Sequence, residues 1–394
     1  MKDPRNQFFI TWRRDHQSRE ATASRLATRG TDGPASKRQN RRGSVVIVVL
    51  LTLLFASFLL TRLIEASSTD LLVAMRVADR DHLRADAYAA LETTLAALMD
   101  FRTVDSGLHA PAQGWEDPLG YAGFAPREGV TMEVAFEDES AKLSLPRINL
   151  DTMNALLVQL GLSTRDATRV ADALFAWMRN GHVAAETATS ATVYEQGEPS
   201  AHPPLRSLRS FDELAAVAVA RDFFYDKDGR PAQLWHDFAR AVSLYQFAAT
   251  NLNSASRAVL MASGWDENQT GTMQKYLATP VSASKTRPYL RSVREARSQV
   301  GNAATRNLGV LIQCLRINIT ARQGAALLRL SALVTWSGQA SLPAPVAASP
   351  ENAPAVTATA RPPVAQAQAA NSIRYPFTVL ELSETTLPDP APPA

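Results

Sequence analysis

One stretch constrains this chain more than any other. From Ser44 to about Leu60 there is no charged residue, and Arg41-Arg42-Gly43-Ser44 stands directly before it. As a helix, a run of roughly 17 residues rises about 26 Å, enough to cross the hydrocarbon core of a bilayer at its short end. Thr61 can extend the run, and Arg62 can reach back to the far interface. The segment ahead of Ser44 holds about eleven Lys/Arg against about four Asp/Glu. Positive flanks stay cytoplasmic, so the leader faces the cytoplasm and the body is exported. A cleaved secretory signal would end in small residues. Here Arg62-Leu63-Ile64-Glu65 follows. An unprocessed signal anchor remains open at this point.

The 394 residues allow two or three domains, and 46% apolar content supplies a packed core. Net charge is only +3. With the basic leader set aside the body is slightly acidic, which argues against a nucleic-acid-binding surface. The single cysteine, Cys314, rules out an intrachain disulfide and reads as a core thiol. With no second cysteine and few histidines, no zinc site is suggested.

Beyond the apolar run, the chain has no Gly or Pro from Arg62 to Phe101. Tyr88, Leu91, Leu95 and Leu98 recur at helical spacing, with Asp70, Arg76, Asp79, Arg80, Asp81, Arg84 and Asp86 on the other positions. This predicts an amphipathic stem continuing the membrane helix. Glycines and prolines from Gly107 to Gly129 mark a loop. Val130 to Glu137 alternates with period two and predicts a strand. Asp138-Glu139-Ser140-Ala141 reads as a solvated turn into a second short strand, Lys142 to Leu145, making a hairpin.

Helices follow. Asn149 or Asp151 caps one that ends at Gly161, Ser163 opens the next, and Ser210-Phe-Asp-Glu213 forms a capping box. Asn149-Leu-Asp-Thr and Asn251-Leu-Asn-Ser suggest a faint repeat, each introducing a helix. Residues 272–306 show no clear pattern. Leu308 to Thr320 predicts a strand. Ala325 to Trp336 suits a strand or a helix by pattern and is read as a strand because it follows one across a short Arg322-Gln-Gly324 turn. Residues 338–372 read as an Ala/Pro-rich linker and Ile373 to Leu382 as a terminal strand. The division is therefore a leader (1–43), a transmembrane helix (44–62) and a stem (63–102). A β region (103–147), an inserted helical domain (148–305), the returning β region (306–337), the linker (338–372) and a terminal strand with its tail (373–394) complete it. Helices interrupting strands make this an α+β chain.

In this order the landmarks resemble the minor pseudopilin K family of type II secretion systems. The resemblance runs from Arg41 to Trp336, and loosely from Tyr375 to Glu381. It rests on the Gly43-Ser44 junction, Val48, Glu137-Asp-Glu-Ser-Ala-Lys-Leu-Ser-Leu145, Leu174-Phe-Ala-Trp177, Ala185-Glu186, Tyr194, His202-Pro-Pro-Leu205, Ser210-Phe-Asp-Glu-Leu214 and Asn251-Leu-Asn-Ser-Ala-Ser256. The resemblance implies a pilin-like antiparallel sheet interrupted by a SAM-like helical domain. It implies cleavage by a prepilin peptidase between Gly43 and Ser44, and methylation of the new N-terminus. Ser44 would be the first mature residue and Val48 the fifth, where most such subunits carry a Glu that pairs with a neighbour. An apolar Val48 suits a subunit with none above it, since an unpaired charge in lipid is costly. The implied partners are minor pseudopilins I and J, other pseudopilins and the bacterial inner membrane. The implied place is the pseudopilus tip, because the insertion is too bulky for a filament shaft. A related type IV pilus-like machine remains an alternative.

The chain departs from the family in two places. Met178-Arg179-Asn180 stands where acids usually follow the tryptophan, and His202 replaces a usual Asn. Some relatives bind calcium in the helical domain. Calcium wants six to eight oxygen ligands, so no metal site or other cofactor is expected here.

Two other classes of function fit this sequence less well. Helix-hairpin-helix DNA binding would use the Gly161 and Gly264 hairpins, but each has a single Gly and the body is not basic. No nucleic-acid partner is expected. An enzyme would need a constellation around His109, His182, His202 or His236. These are scattered, with no nucleophile or metal spacing, and no catalytic residue is assigned.

Overall fold

The computed structural model describes residues 42–190, 192–195, 202–280, 287–324, 326–336, 339–343 and 376–388. Most of the leader and of the Ala/Pro-rich linker lies outside these residues. The chain divides into two units, one up to Leu71 and one from Leu72 onward, and the division falls within the first helix.

That helix, α1, runs from Arg42 to Asp105. Its part in the first unit is long and apolar enough to cross a membrane. Every large apolar side chain between Val45 and Leu60 is 50–69% exposed, so none packs into a protein core. Arg62 ends the run, with its guanidinium 5.4 Å from the Phe58 ring centroid and 3.2 Å from Glu65.

In the second unit the stem buries the expected stripe. Leu91, Leu95 and Leu98 are in the core and Tyr88 is half-buried, while Leu83, Ala87 and Ala90 extend the face toward the N-terminus. Against it packs a four-stranded antiparallel sheet in the order β1 (Val130–Asp138), β7 (Cys314–Gln323), β8 (Ala326–Thr335), β10 (Thr378–Pro388). Ile317, Ile319 and Ala321 on β7 meet Leu328, Leu330, Ala332 and Val334 on β8 in one core with the stem. Alternation makes this possible, since residues two apart share a face. Between α1 and β1, a short helix α2 (Pro118–Tyr121) is capped by Asp117, which accepts from the Gly120 N–H. Trp115 is fully buried there, edge-on to Phe136 at 4.9 Å.

Neighbouring strands β1 and β7 are not neighbours in sequence. Asp138 sits opposite Leu315, and the helical domain lies between them. It begins with α3 (Leu150–Gln159) and α4 (Thr164–Met178), then α5 (Thr192–Glu195), α6 (Ala218–Phe224) and α7 (Gln233–Ala241). Met153, Leu156, Val170, Leu174, Leu214, Phe224 and Phe238 form its core. Next come α8 (Arg257–Ala262), α9 (Glu267–Ala278) and α10 (Val293–Val300), around Leu260, Trp265, Met273 and Leu290.

Short ladders fasten this domain at its entry and exit. Strand β2 (Leu143–Ser144) pairs in parallel with β3 (Val242–Ser243). Strand β4 (Gln246–Phe247) pairs antiparallel with β9 (Ala340–Ser341), and β5 (Thr250–Asn251) pairs in parallel with β6 (Leu308–Gly309).

The structure corrects several expectations. The hairpin of Val130–Glu137 with Lys142–Leu145 does not form; β1 pairs with β7, and Leu143–Ser144 turns away to meet β3. Residues 272–306 are not featureless, since most of α9 and all of α10 fall there. The strand expected from Leu308 to Thr320 is two pieces, β6 and β7, broken where Gln313 leaves the ladder to bond Ala248 and Ala249. The repeat built on Asn149 and Asn251 dissolves. Asn149 caps α3 through a 2.7 Å bond from the Thr152 N–H, but Ser256 caps α8, and Asn251 lies fully buried in β5.

Candidate functional site

Gly43 and Ser44 stand in the first turn of α1, which opens at Arg42. Val48 lies one turn further on and is 56% exposed. Among the described residues nothing buries Val48, which leaves its side chain open to lipid or another chain.

The second element is the joint between sheet and insertion. The Glu137–Leu145 stretch and the Asn251–Ser256 stretch, far apart in sequence, meet there. Asp138 accepts from the Ser140 N–H at 2.9 Å, the Ser140 hydroxyl at 2.6 Å and Asn251 Nδ2 at 2.7 Å. Asn251 Nδ2 also donates to the His109 carbonyl at 2.9 Å. Asn253 reaches the Leu290 and Val310 carbonyls, both at 3.1 Å, and accepts from the Leu290 N–H at 2.6 Å. Burial pushes the Asp138 carboxyl up to about 6, and the bonds from Ser140 and Asn251 limit the rise. The solvated turn expected at 138–141 is therefore wrong. Glu139 and Ser140 are buried, because the Ser140 hydroxyl accepts from the Gln313 N–H at 3.0 Å.

Around Glu139 the charges alternate. Lys142 Nζ lies 2.6 Å from Glu137 and 3.0 Å from Glu139. Burial opposes the Lys142 charge, but the two carboxylates outweigh it and its pKa is raised. Arg316 stands 3.6 Å from Glu139 and 3.2 Å from Glu381 on β10. Tyr245 donates to the same Glu381 at 2.5 Å. Burial and that neighbouring carboxylate push the Tyr245 pKa up. Strand β1, the insertion, β7 and β10 are thus held by one polar cluster. Such a cluster fixes geometry, and burial pushes the Cys314 thiol beside it up.

The histidines are spread out. His109 Nδ1 is 2.8 Å from the Val310 carbonyl. His182 Nε2 is 2.7 Å from Asp172, which also accepts from the Ala185 N–H at 2.9 Å and the Thr189 hydroxyl at 2.5 Å. Burial would raise the Asp172 pKa, but Thr189, His182 and Ala185 outweigh it and hold it below normal. These bonds pin the loop after α4 back onto that helix. Sequence reasoning missed Asp172 as an anchor. It is the one charged residue in the run Val170–Met178, every member of which is buried, and that lone charge was the available signal.

The two hairpin glycines adopt φ of +102° at Gly161 and +93° at Gly264, as turns after helices require. Each following helix opens with carboxylates: Asp166 in α4, and Asp266 with Glu267 in α9. Those charges repel phosphate where a DNA-binding hairpin would attract it. Among the described residues no group of three His, Cys, Asp or Glu is placed to hold a metal.

Residues 138–227 match the family model for type II secretion system (T2SS) protein K. The matched segment starts at the joint and runs through the first half of the insertion. No curated protein matches the chain. Among solved structures, a chain of the GspK-GspI-GspJ complex from the enterotoxigenic Escherichia coli Type 2 Secretion System is similar. Identity is 14%, coverage is 67% of this chain and 95% of that one, and the TM-score is 0.44.

Proposed function

We propose that the chain works as a minor pseudopilin of a type II secretion system, seated at the tip of the pseudopilus and helping to start its assembly. The observation that carries this reading is a match to the protein K family model in an insertion set into a four-stranded antiparallel sheet, behind an apolar N-terminal helix. The role is mechanical and not catalytic. The polar groups of the joint serve to hold the insertion rigidly on the sheet.

In this reading the helix first anchors the precursor in the bacterial inner membrane. The basic leader stays cytoplasmic and the body lies in the periplasm. A prepilin peptidase cuts between Gly43 and Ser44, and the apolar helix then serves as a packing stem. Val48 leaves no carboxylate to be paired by a subunit above. The insertion sets a subunit apart from those of a shaft, where each must be covered by the next. Minor pseudopilins I and J are the expected neighbours.

Three measurements test this. The chain recovered from cells with active peptidase should begin at a methylated Ser44, and an intact Met1 would sink the processing step. Purified under mild detergent, it should bring pseudopilins I and J with it. Uniform labelling along filaments would contradict placement at the tip.

A further inference from the structure

Arg179 follows α4 as its C-cap, with its own N–H bonded to the Phe175 carbonyl at 2.8 Å. Its guanidinium reaches the start of the insertion. One nitrogen, Nη2, lies 2.7 Å from the Pro146 carbonyl, 3.2 Å from Leu145 and 3.3 Å from Ile148. The guanidinium also lies 5.7 Å from the Phe175 ring centroid. Burial lowers its pKa, yet a guanidinium stays charged at any physiological pH. Three carbonyl oxygens therefore converge on one fixed positive charge, next to Trp177.

Converging carbonyls are what a hard cation such as calcium seeks, but calcium also needs carboxylates and several more oxygens. In the family that these motifs resemble, acids usually follow the tryptophan and some members hold calcium in this domain. Here the position carries a cation instead. A divalent ion bonded to the Leu145, Pro146 or Ile148 oxygens would sit against Arg179 and be repelled. The buried carboxylate on the same helix, Asp172, already takes three donors from the following loop.

We propose that Arg179 supplies the positive charge for this carbonyl cluster, so that the helical domain of this chain is held by a tethered guanidinium and is indifferent to calcium. The residue is structural, clamping the end of α4 to the Leu145–Ile148 entry strap.

The test is thermal unfolding of the full chain in detergent, in EGTA, in millimolar calcium and in equal magnesium. The expected result is a Tm that calcium raises by no more than about 2 °C over magnesium. A larger rise, as ligand linkage demands of a saturated native site, overturns the proposal. Arg179→Ala should lower Tm by roughly 2–6 °C, because it strands three part-buried carbonyls. Arg179→Lys should recover part of the loss, since an ammonium can still donate to carbonyls. A wild-type Tm for Arg179→Ala overturns the proposal as well. If that variant fails to fold, the calcium comparison on the wild-type chain still decides.

Discussion

Asp138 shows how much one residue of the joint governs. Its folded pKa is raised from 3.8 to about 6. Between those values the unfolded chain releases its proton while the folded chain keeps it. This group's contribution to stability is therefore full below the lower value, falls as pH climbs toward 6, and stays at its floor above. The size is on the order of 2–3 kcal/mol. Asp138→Asn abolishes the titration. The stability difference between wild type and variant, from urea unfolding at several pH values, should change by that amount between about pH 4 and pH 6.5 in the variant's favour. A difference that does not vary with pH rules this account out. The sequence could not show this role. Asp138 sits in a charged tetrapeptide that reads as a solvent-facing turn, and its partner Asn251 is far along the chain. Burial of a carboxylate is a tertiary fact, set by where Gln313 and Asn251 arrive.

At the scale of elements, the stem and strands β1 and β7 were legible because each repeats its pattern over many residues. Leu91, Leu95 and Leu98 keep helical spacing and are all buried. Strand β7 alternates; β8, whose pattern alone suits a strand or a helix, was legible only from its place after β7 across a turn at Gly324, whose φ is +56°. Helices α9 and α10 were illegible because so little of them is buried: Thr270 and Met273 in one, Ala296 in the other. Their ends are set by the caps at Asp266 and Ser292. The two-residue ladders are too short to carry any period. The stem stripe gives a direct prediction. Leu98→Ala, at a position with no exposure, should cost about 2–5 kcal/mol in chemical unfolding. Val77→Ala, on the exposed part of the same helix, should stay within about 0.5 kcal/mol. Equal losses would mean that the stem packs on another face.

At the scale of the whole molecule, the long stretch of chain between paired strands costs time more than stability. Loop-closure entropy grows only with the logarithm of length, about 0.6 kcal/mol per doubling. Pairing β1 with β7, however, must wait until the helical domain has been made, and non-local pairing is slow. In refolding by pulsed hydrogen exchange, amides of α3 and α4 should gain protection before those of β1 and β7. Simultaneous protection would remove the argument. The last strand sharpens the point. Strand β10 closes the sheet against β8, and its Glu384 is gripped by the Arg84 guanidinium through two 2.8 Å bonds and by the Tyr88 hydroxyl. The stem is made before β10, so the sheet can be closed only after its other three strands exist. A copy cut short before β10 would present an unpaired β8 edge and an empty Arg84, and would be marked as incomplete by its own surface.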